Sequence, residues 1–230
     1  MLKFTPILIA IIYALVMYKF SAWNTARTLD QQSTLLNDPD LDLLNLDMAR
    51  ALDLPKIKVH IYEIEPINGL AAPDGRIFIT RGFFNKYKSG EVSAAEMASV
   101  IAHELGHVAL GHSRRRMIDF SGQNAIRVAL ATVLGRIIPG VGVWIANMLT
   151  SMLAARLSRS DEYEADADAS ALLTKPGIGT APQKSLFKKL DTLTGSLGAG
   201  TPAWLLSHPK TAERIAAIEA REAKWGVTDA

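Results

Sequence analysis

The chain opens on an apolar run. Phe4 to Tyr18 carries no charge, and past Lys19 the run continues to Trp23. With a snorkelling lysine this makes about 20 residues, long enough to span a bilayer core. No small-x-small cleavage site follows cleanly in Ser21 to Arg27, so residues 1–27 read as a retained transmembrane anchor rather than a cleaved signal peptide. Tyr18 and Trp23 suit the membrane–water interface. Orientation is weakly specified, with Lys3 on one side and Lys19 and Arg27 on the other; an extracytoplasmic side is favoured for the rest of the chain.

Asp38 to Leu52 has helical apolar periodicity, and Pro55 breaks the chain before a strand pattern from Ile57 to Ile64. A hairpin is predicted around Pro73-Asp74-Gly75, with Arg76 to Thr80 the clearest strand. Ser93 with Glu96 forms a capping box that starts a helix, and Gly111 ends it. A second apolar stretch, Ile126 to Leu157, is broken by Arg136 and by Pro139-Gly140. Its uncharged part, Ile137 to Ala155, predicts a helical hairpin over the active site or in the membrane interface rather than a full span. After Pro176-Gly177, Leu186, Phe187, Leu190 and Leu193 mark a further helix. Ile215, Ile218 and Trp225 mark the last, from Lys210 to Trp225. Residues 28–230 form one domain, α+β and mainly helical.

The 230 residues are 49% hydrophobic, ample for a core. Net charge is only +2, and no basic cluster with interleaved aromatics recommends nucleic acid. Arg114, Arg115 and Arg116 follow a helix end and suit its dipole or lipid headgroups. The chain has no cysteine, which removes thiol nucleophiles, disulfides and thiolate metal sites. No Gly-x-Ser-x-Gly elbow, phosphate loop or dinucleotide fingerprint occurs, so serine hydrolase and nucleotide-dependent chemistry lose support.

The predicted helix from Ser93 carries His103-Glu104-Leu105-Gly106-His107. One helical turn separates the histidines, so both imidazoles project from one face and can bind one metal ion. Zinc with three protein ligands keeps a position for water and lowers that water's pKa to about 7. Glu104 is then the general base for a zinc-activated water. A packed core helix would bury these polar side chains at a cost; a metal gives all of them a purpose.

For the third ligand, His112 lies roughly opposite His103 on the helix and beyond Gly111, a poor position. The metzincin pattern would need glycine at 110 and histidine at 113, where Leu110 and Ser113 stand. The acidic stretch Ser160 to Asp168 offers better geometry. Glu162 and Asp166 share a helix face, so Glu162 can ligate zinc while Asp166 accepts a hydrogen bond from the far nitrogen of a ligating histidine. Alone, such a run is more often a solvated acidic face.

These residues give the chain its resemblance to the membrane-associated gluzincin peptidases, the HtpX-like, BepA-like and CAAX prenyl protease type enzymes. The resemblance rests on Ala102 to His107 running on to Gly111-His112, on Ser158-Arg159 before Glu162-Tyr163-Glu164-Ala165-Asp166, and on Ser207-His208-Pro209. Asn68 through Gly82 also looks like the family's substrate-binding edge hairpin, with Asn68, Gly69, Leu70 and Ala71 as its substrate strand; the family more often has alanine where Gly69 stands. The resemblance implies a zincin-like domain with one Zn2+ per chain, held by His103, His107 and Glu162, with Glu104 as base. In similar enzymes the histidine of the Ser-His-Pro segment approaches the active site, either stabilising the oxyanion or occupying the metal's open position. His208 takes that place here, unless Ser207-His208-Pro209 is only an entry to the last helix. His60 reads as structural.

The expected function is that of a membrane-anchored zinc-dependent metalloendopeptidase, acting on unfolded or membrane-associated proteins that pair with the edge strand. Its partners are then polypeptide substrates and the lipid bilayer, with no nucleic acid and no nucleotide. The rival from another class is a quality-control protein that binds unfolded chains and has a latent, plugged zinc site. A purely structural zinc would need a fourth protein ligand, and His208 would have to supply it.

Overall fold

The computed structural model describes residues 5–115, 127, 130, 131, 134–139, 141–195 and 211–226. Helix α1 (Thr5–Gln31) leads into β1 (Ser33–Leu35), then α2 (Pro39–Ala51), β2 (Val59–Tyr62), β3 (Gly69–Ala71) and β4 (Ile77–Thr80). Four helices of the domain proper follow a short one, α3 (Arg81–Lys88): α4 (Ala94–Ala109), α5 (Gly142–Thr174), α6 (Ala181–Gly195) and α7 (Thr211–Trp225). The mixture is mainly helical with one small sheet, as the periodicities predict.

Local chemistry fixes the element ends. Asp38 caps α2 by accepting from the Leu41 N–H, and the same buried carboxylate receives the Tyr87 hydroxyl at 2.8 Å and Lys88 Nζ at 3.1 Å, tying α2 to the end of α3. At α4 the capping box forms in both directions: Ser93 N–H donates to Glu96 Oε2 at 2.8 Å, and Glu96 N–H to Ser93 Oγ at 3.2 Å. Lys189 and Ser185 of α6 also reach the Glu96 carboxylate, each bond under 3 Å (2.8 and 2.7 Å). The helix that carries the His-Glu-x-x-His motif is thereby fastened at its start by tertiary bonds as well as by its cap.

The sheet order is β1-β2-β4-β3, with β2 and β4 parallel and the other pairs antiparallel. β4 is central and buried at all four positions. β3 is an edge: among the described residues no strand pairs with its other side. One face of the sheet packs on α4, where Ile77 and Ile79 join Met97, Val100, Ile101 and Ala102 in a core that also takes in Phe83, Leu173, Leu186 and Ile218.

Two parts of the architecture differ from the sequence reading. The apolar residues from Gly142 onward and the acidic stretch, read separately, form one continuous helix, α5, while residues 134–137 on the other side of the break are helical as well. Its N-terminal start fits the break at Pro139-Gly140, and no proline or glycine interrupts residues 143–175. Trp225, read with the apolar positions of the last helix, is 44% exposed, so Ile215 and Ile218 carry its packed face. As for the anchor, α1 runs on to Gln31, and over the described residues no helix is long and apolar enough to cross a membrane. Part of the Phe4–Tyr18 run lies outside the described side chains.

The contact between α4 and α5 depends on Gly106. A Cβ there would lie 3.0 Å from the Ala165 carbonyl oxygen and 3.1 Å from its Cα, both backbone atoms of a packed helix. Glycine-to-alanine in a helix interior ordinarily stabilises by about 1 kcal/mol. At this position overpacking reverses the sign: Gly106→Ala is expected to cost about 1–3 kcal/mol and to push the histidines away from Glu162. Chemical denaturation with a parallel zinc titration would measure both effects.

Candidate metal centre

α4 and α5 bring His103, His107 and Glu162 together, all buried. His103 Nε2 lies 3.1 Å from His107 Nε2 and 3.3 Å from Glu162 Oε2, and His107 Nε2 lies 3.4 Å from Glu162 Oε1. Three corners of a tetrahedron around a metal with bonds of ~2.0 Å stand about 3.3 Å apart. The two imidazole nitrogens and the Glu162 carboxylate therefore fit one small cation, and this is the group among the described residues whose donor atoms could hold a metal.

Charge balance points the same way. Glu104, Glu162 and Asp166 are buried carboxylates, and Arg214 is the buried guanidinium facing them. Counted over these described residues, with neutral imidazoles, the cluster carries a net charge of two negatives, costly to bury without a counter-charge. A divalent cation removes the deficit. Burial pulls the His103 pKa down, but hydrogen bonds to Asp166 and Glu162 outweigh it and hold it at about 9. A metal bound through the same lone pair replaces that proton.

Each histidine is backed on its far side. His103 Nδ1 donates to Asp166 Oδ1 at 3.0 Å. Arg214 of α7 grips that carboxylate with both forks, Nε to Oδ2 at 2.7 Å and Nη2 to Oδ1 at 2.6 Å, while its guanidinium lies 4.1 Å from the centre of the Phe187 ring. Burial would raise the Asp166 pKa; the Arg214 charge and its bonds overcome this and hold the carboxyl well below the usual range. Behind His107 stands His112, its Nδ1 2.9 Å from His107 Nδ1 and its Nε2 3.4 Å from Glu164 Oε2. Burial pushes His112 down, so it is the neutral ring. His107 Nδ1–H then donates to His112 Nδ1, and His112 Nε2–H points at the carboxylate. This leaves the Nε2 lone pair of His107 turned to the centre.

The substrate-strand candidates lie against the motif helix. Gly69, Leu70 and Ala71 are β3, with Asn68 just before it, bonded through its carbonyl to the Thr80 N–H at 3.0 Å. Gly69 faces Glu104: a Cβ on Gly69 would come within 3.0 Å of Glu104 Oε1 and 2.8 Å of Val100 Cγ1. The departure from alanine at this position thus leaves space beside the candidate base. His60 sits on β2 with its ring 5.1 Å from Phe78, away from the centre. His208 lies outside the described residues.

Sequence reasoning missed two participants. Arg214 occupies one face of α7 with Ile218 and Glu222, all three buried; an arginine in step with a core isoleucine was the available signal. His112 was weighed only as a metal ligand, not as the partner of one.

A family model described as Peptidase family M48 matches residues 35–222. The chain belongs to peptidase family M48. That span begins after α1 and contains every residue of the centre. Among relatives, the chain is 31% identical over 172 residues to the metalloprotease LoiP of Escherichia coli, covering 74% of this chain and 65% of LoiP. It is 29% identical over 165 residues to the metalloprotease YcaL of the same organism, covering 72% of this chain and 62% of YcaL. To a protease HtpX homolog of Chlorobium luteolum it is 28% identical over 243 residues, covering 90% of this chain and 80% of that one. The chain thus spans a little under two thirds of the two E. coli relatives. M48 membership agrees with a zinc-binding His-Glu-x-x-His helix completed by a glutamate, which is what the donor set offers.

Removing the ring behind His107 is expected to matter without touching a ligand. His112→Ala should weaken zinc binding by about 10–100-fold, and His112→Asn, which keeps an acceptor, should recover part of it. Competition with a zinc chelator gives the measurement.

Proposed function

We propose that the chain is a zinc metalloendopeptidase that cuts polypeptides held in extended form along β3, in proteins that are unfolded or lie at a membrane. What supports this is one conjunction: three buried donor groups at tetrahedral spacing, a glutamate next to them in sequence, and an edge strand whose Gly69 faces that glutamate. His103, His107 and Glu162 would hold the zinc. Bound there, zinc supplies Lewis acidity, polarising the scissile carbonyl and making water acidic near neutral pH.

The remaining work falls to the protein. Asp166 and His112 fix the tautomers and ring planes of the two histidines. Arg214 keeps Asp166 ionised and immobile. Glu104 takes the proton of the attacking water and returns it to the leaving amine. β3 binds the chain through its backbone, so recognition tolerates many side-chain sequences. His208 is the candidate to stabilise the oxyanion or to plug the resting site.

Membrane attachment belongs to the same reading. Phe20 and Trp23 on α1, and Val143, Trp144 and Leu149 at the start of α5, are exposed, and apolar side chains of that size suit a lipid interface. The full-length protein is expected to stay with the membrane through an alkaline carbonate wash, and removal of residues 1–27 should release it; release of the intact chain would count against the anchor.

Purified wild type and Glu104→Gln should both bind zinc near one per chain, while only wild type degrades casein, with a loss of at least about 10²-fold in the variant. Equal zinc with no cleavage by either would favour a binding protein with a latent site. No zinc in either would sink the reading.

A further inference from the structure

The pairing geometry of β3 leads to a residue outside the catalytic motif. In the antiparallel β3–β4 ladder, Asn68 accepts from the Thr80 N–H and the Ala72 N–H donates to Arg76, with Leu70 opposite Phe78 between them. Alternate residues of such a strand bond to opposite sides. The N–H and C=O groups of Asn68, Leu70 and Ala72 therefore serve β4, and those of Gly69 and Ala71 point to the edge that no strand among the described residues covers. An added strand would use these two residues alone.

One of their two carbonyls already accepts a hydrogen bond. Ser113, in the helical turn that follows Gly111, donates its hydroxyl to the Ala71 carbonyl at 2.7 Å. Gly111 reverses the chain with φ +68, which carries Ser113 back from the end of α4 to the strand. His112, the ring behind His107, is its neighbour in the same turn.

We propose that Ser113 is a positioning residue that ends the substrate-pairing edge at Ala71 and so sets the register of the bound chain. This rests on the reading of β3 as the substrate strand. An extended substrate forms its full backbone pair at Gly69, the residue facing Glu104, and meets at Ala71 an N–H beside a carbonyl that the Ser113 hydroxyl already engages. A chain slipped by two residues, with its pair centred on Ala71, must share that carbonyl with Ser113 and gains a weaker bond there. The register that puts a peptide bond beside Glu104 is then the preferred one, with no side-chain pocket required.

The test measures binding, so it does not depend on turnover. Zinc-loaded full-length Glu104→Gln protein would be titrated with a fluorescent extended peptide and with variants of it in which one backbone amide at a time is N-methylated. In the Ser113 background one amide should be sensitive, its methylation weakening binding by about three- to tenfold. In Ser113→Ala a second sensitive amide should appear two residues away, whichever way the peptide runs, and Ser113→Thr, which retains a hydroxyl, should restore the single-amide pattern. Zinc content equal in the three proteins would confirm that the metal centre is intact. Two sensitive amides already present with Ser113, or one in every variant, would overturn the register role. No sensitive amide in any of them would instead remove the strand-pairing reading beneath it, and the proposal with it.

Discussion

The buried ion pair between Asp166 and Arg214 is the contact on which the site depends. Arg214 comes from the last helix and Asp166 from α5, and the carboxylate passes the constraint on to His103 of α4. Three helices distant in sequence are thereby held in one arrangement by groups that cannot tolerate separation. Breaking such a pair from one side leaves an unpaired charge in the interior, at about 3–5 kcal/mol. The Phe187 ring against the guanidinium excludes water from the pair and adds a cation–π contact. The same bonds that close the domain keep the imidazole of His103 at a fixed tautomer and angle, so packing and chemistry share one cause.

The two histidines are supported differently, and the difference has electrostatic meaning. His103 is backed by a carboxylate that is itself neutralised by Arg214; His107 is backed by a neutral ring that reaches toward Glu164, which is partly in solvent. Donation to a carboxylate makes a ligating imidazole more basic than donation to another imidazole does. In the proposed zinc centre His103 would thus be the stronger donor of the pair and His107 the softer hold. Gly106, between them, lets the backbone of α5 approach closely enough for Glu162 to complete the set.

Much of this was legible from sequence because the governing signals are local. The capping box at Ser93 and Glu96, the glycine that ends α4, the one-turn spacing of the histidines and the four-residue spacing of Glu162 and Asp166 are consequences of helix geometry. The edge hairpin around Gly75 was equally local. What escaped was set by contacts between distant segments. Nothing near Arg214 announces a carboxylate on another helix, although its place on the buried face of α7 could have raised the question. His112 looked badly placed because it was measured against a straight helix; the chain turns at Gly111, and the turn swings its ring behind His107. The continuity of α5 was hidden by a change of composition midway, from apolar to acidic, that reads like a boundary but leaves the backbone helical.

That continuity has a structural consequence for how the molecule works at a surface. α5 carries exposed Trp144 and Leu149 near its start and the buried Glu162 and Asp166 near its middle. At 1.5 Å per residue, about five turns of rigid helix, roughly 27 Å, separate Trp144 from Glu162. If the start of α5 rests in a lipid interface, the proposed metal centre stands at a fixed height of roughly 27 Å or less above it, depending on helix tilt. The cleavable chain must then be extended and accessible at that height, a requirement met by an unfolded segment or by a loop leaving a membrane, and not by a folded globular domain. Substrate selection in this arrangement comes from where the site is held and from the backbone edge it offers, which agrees with a strand that presents only two residues for pairing.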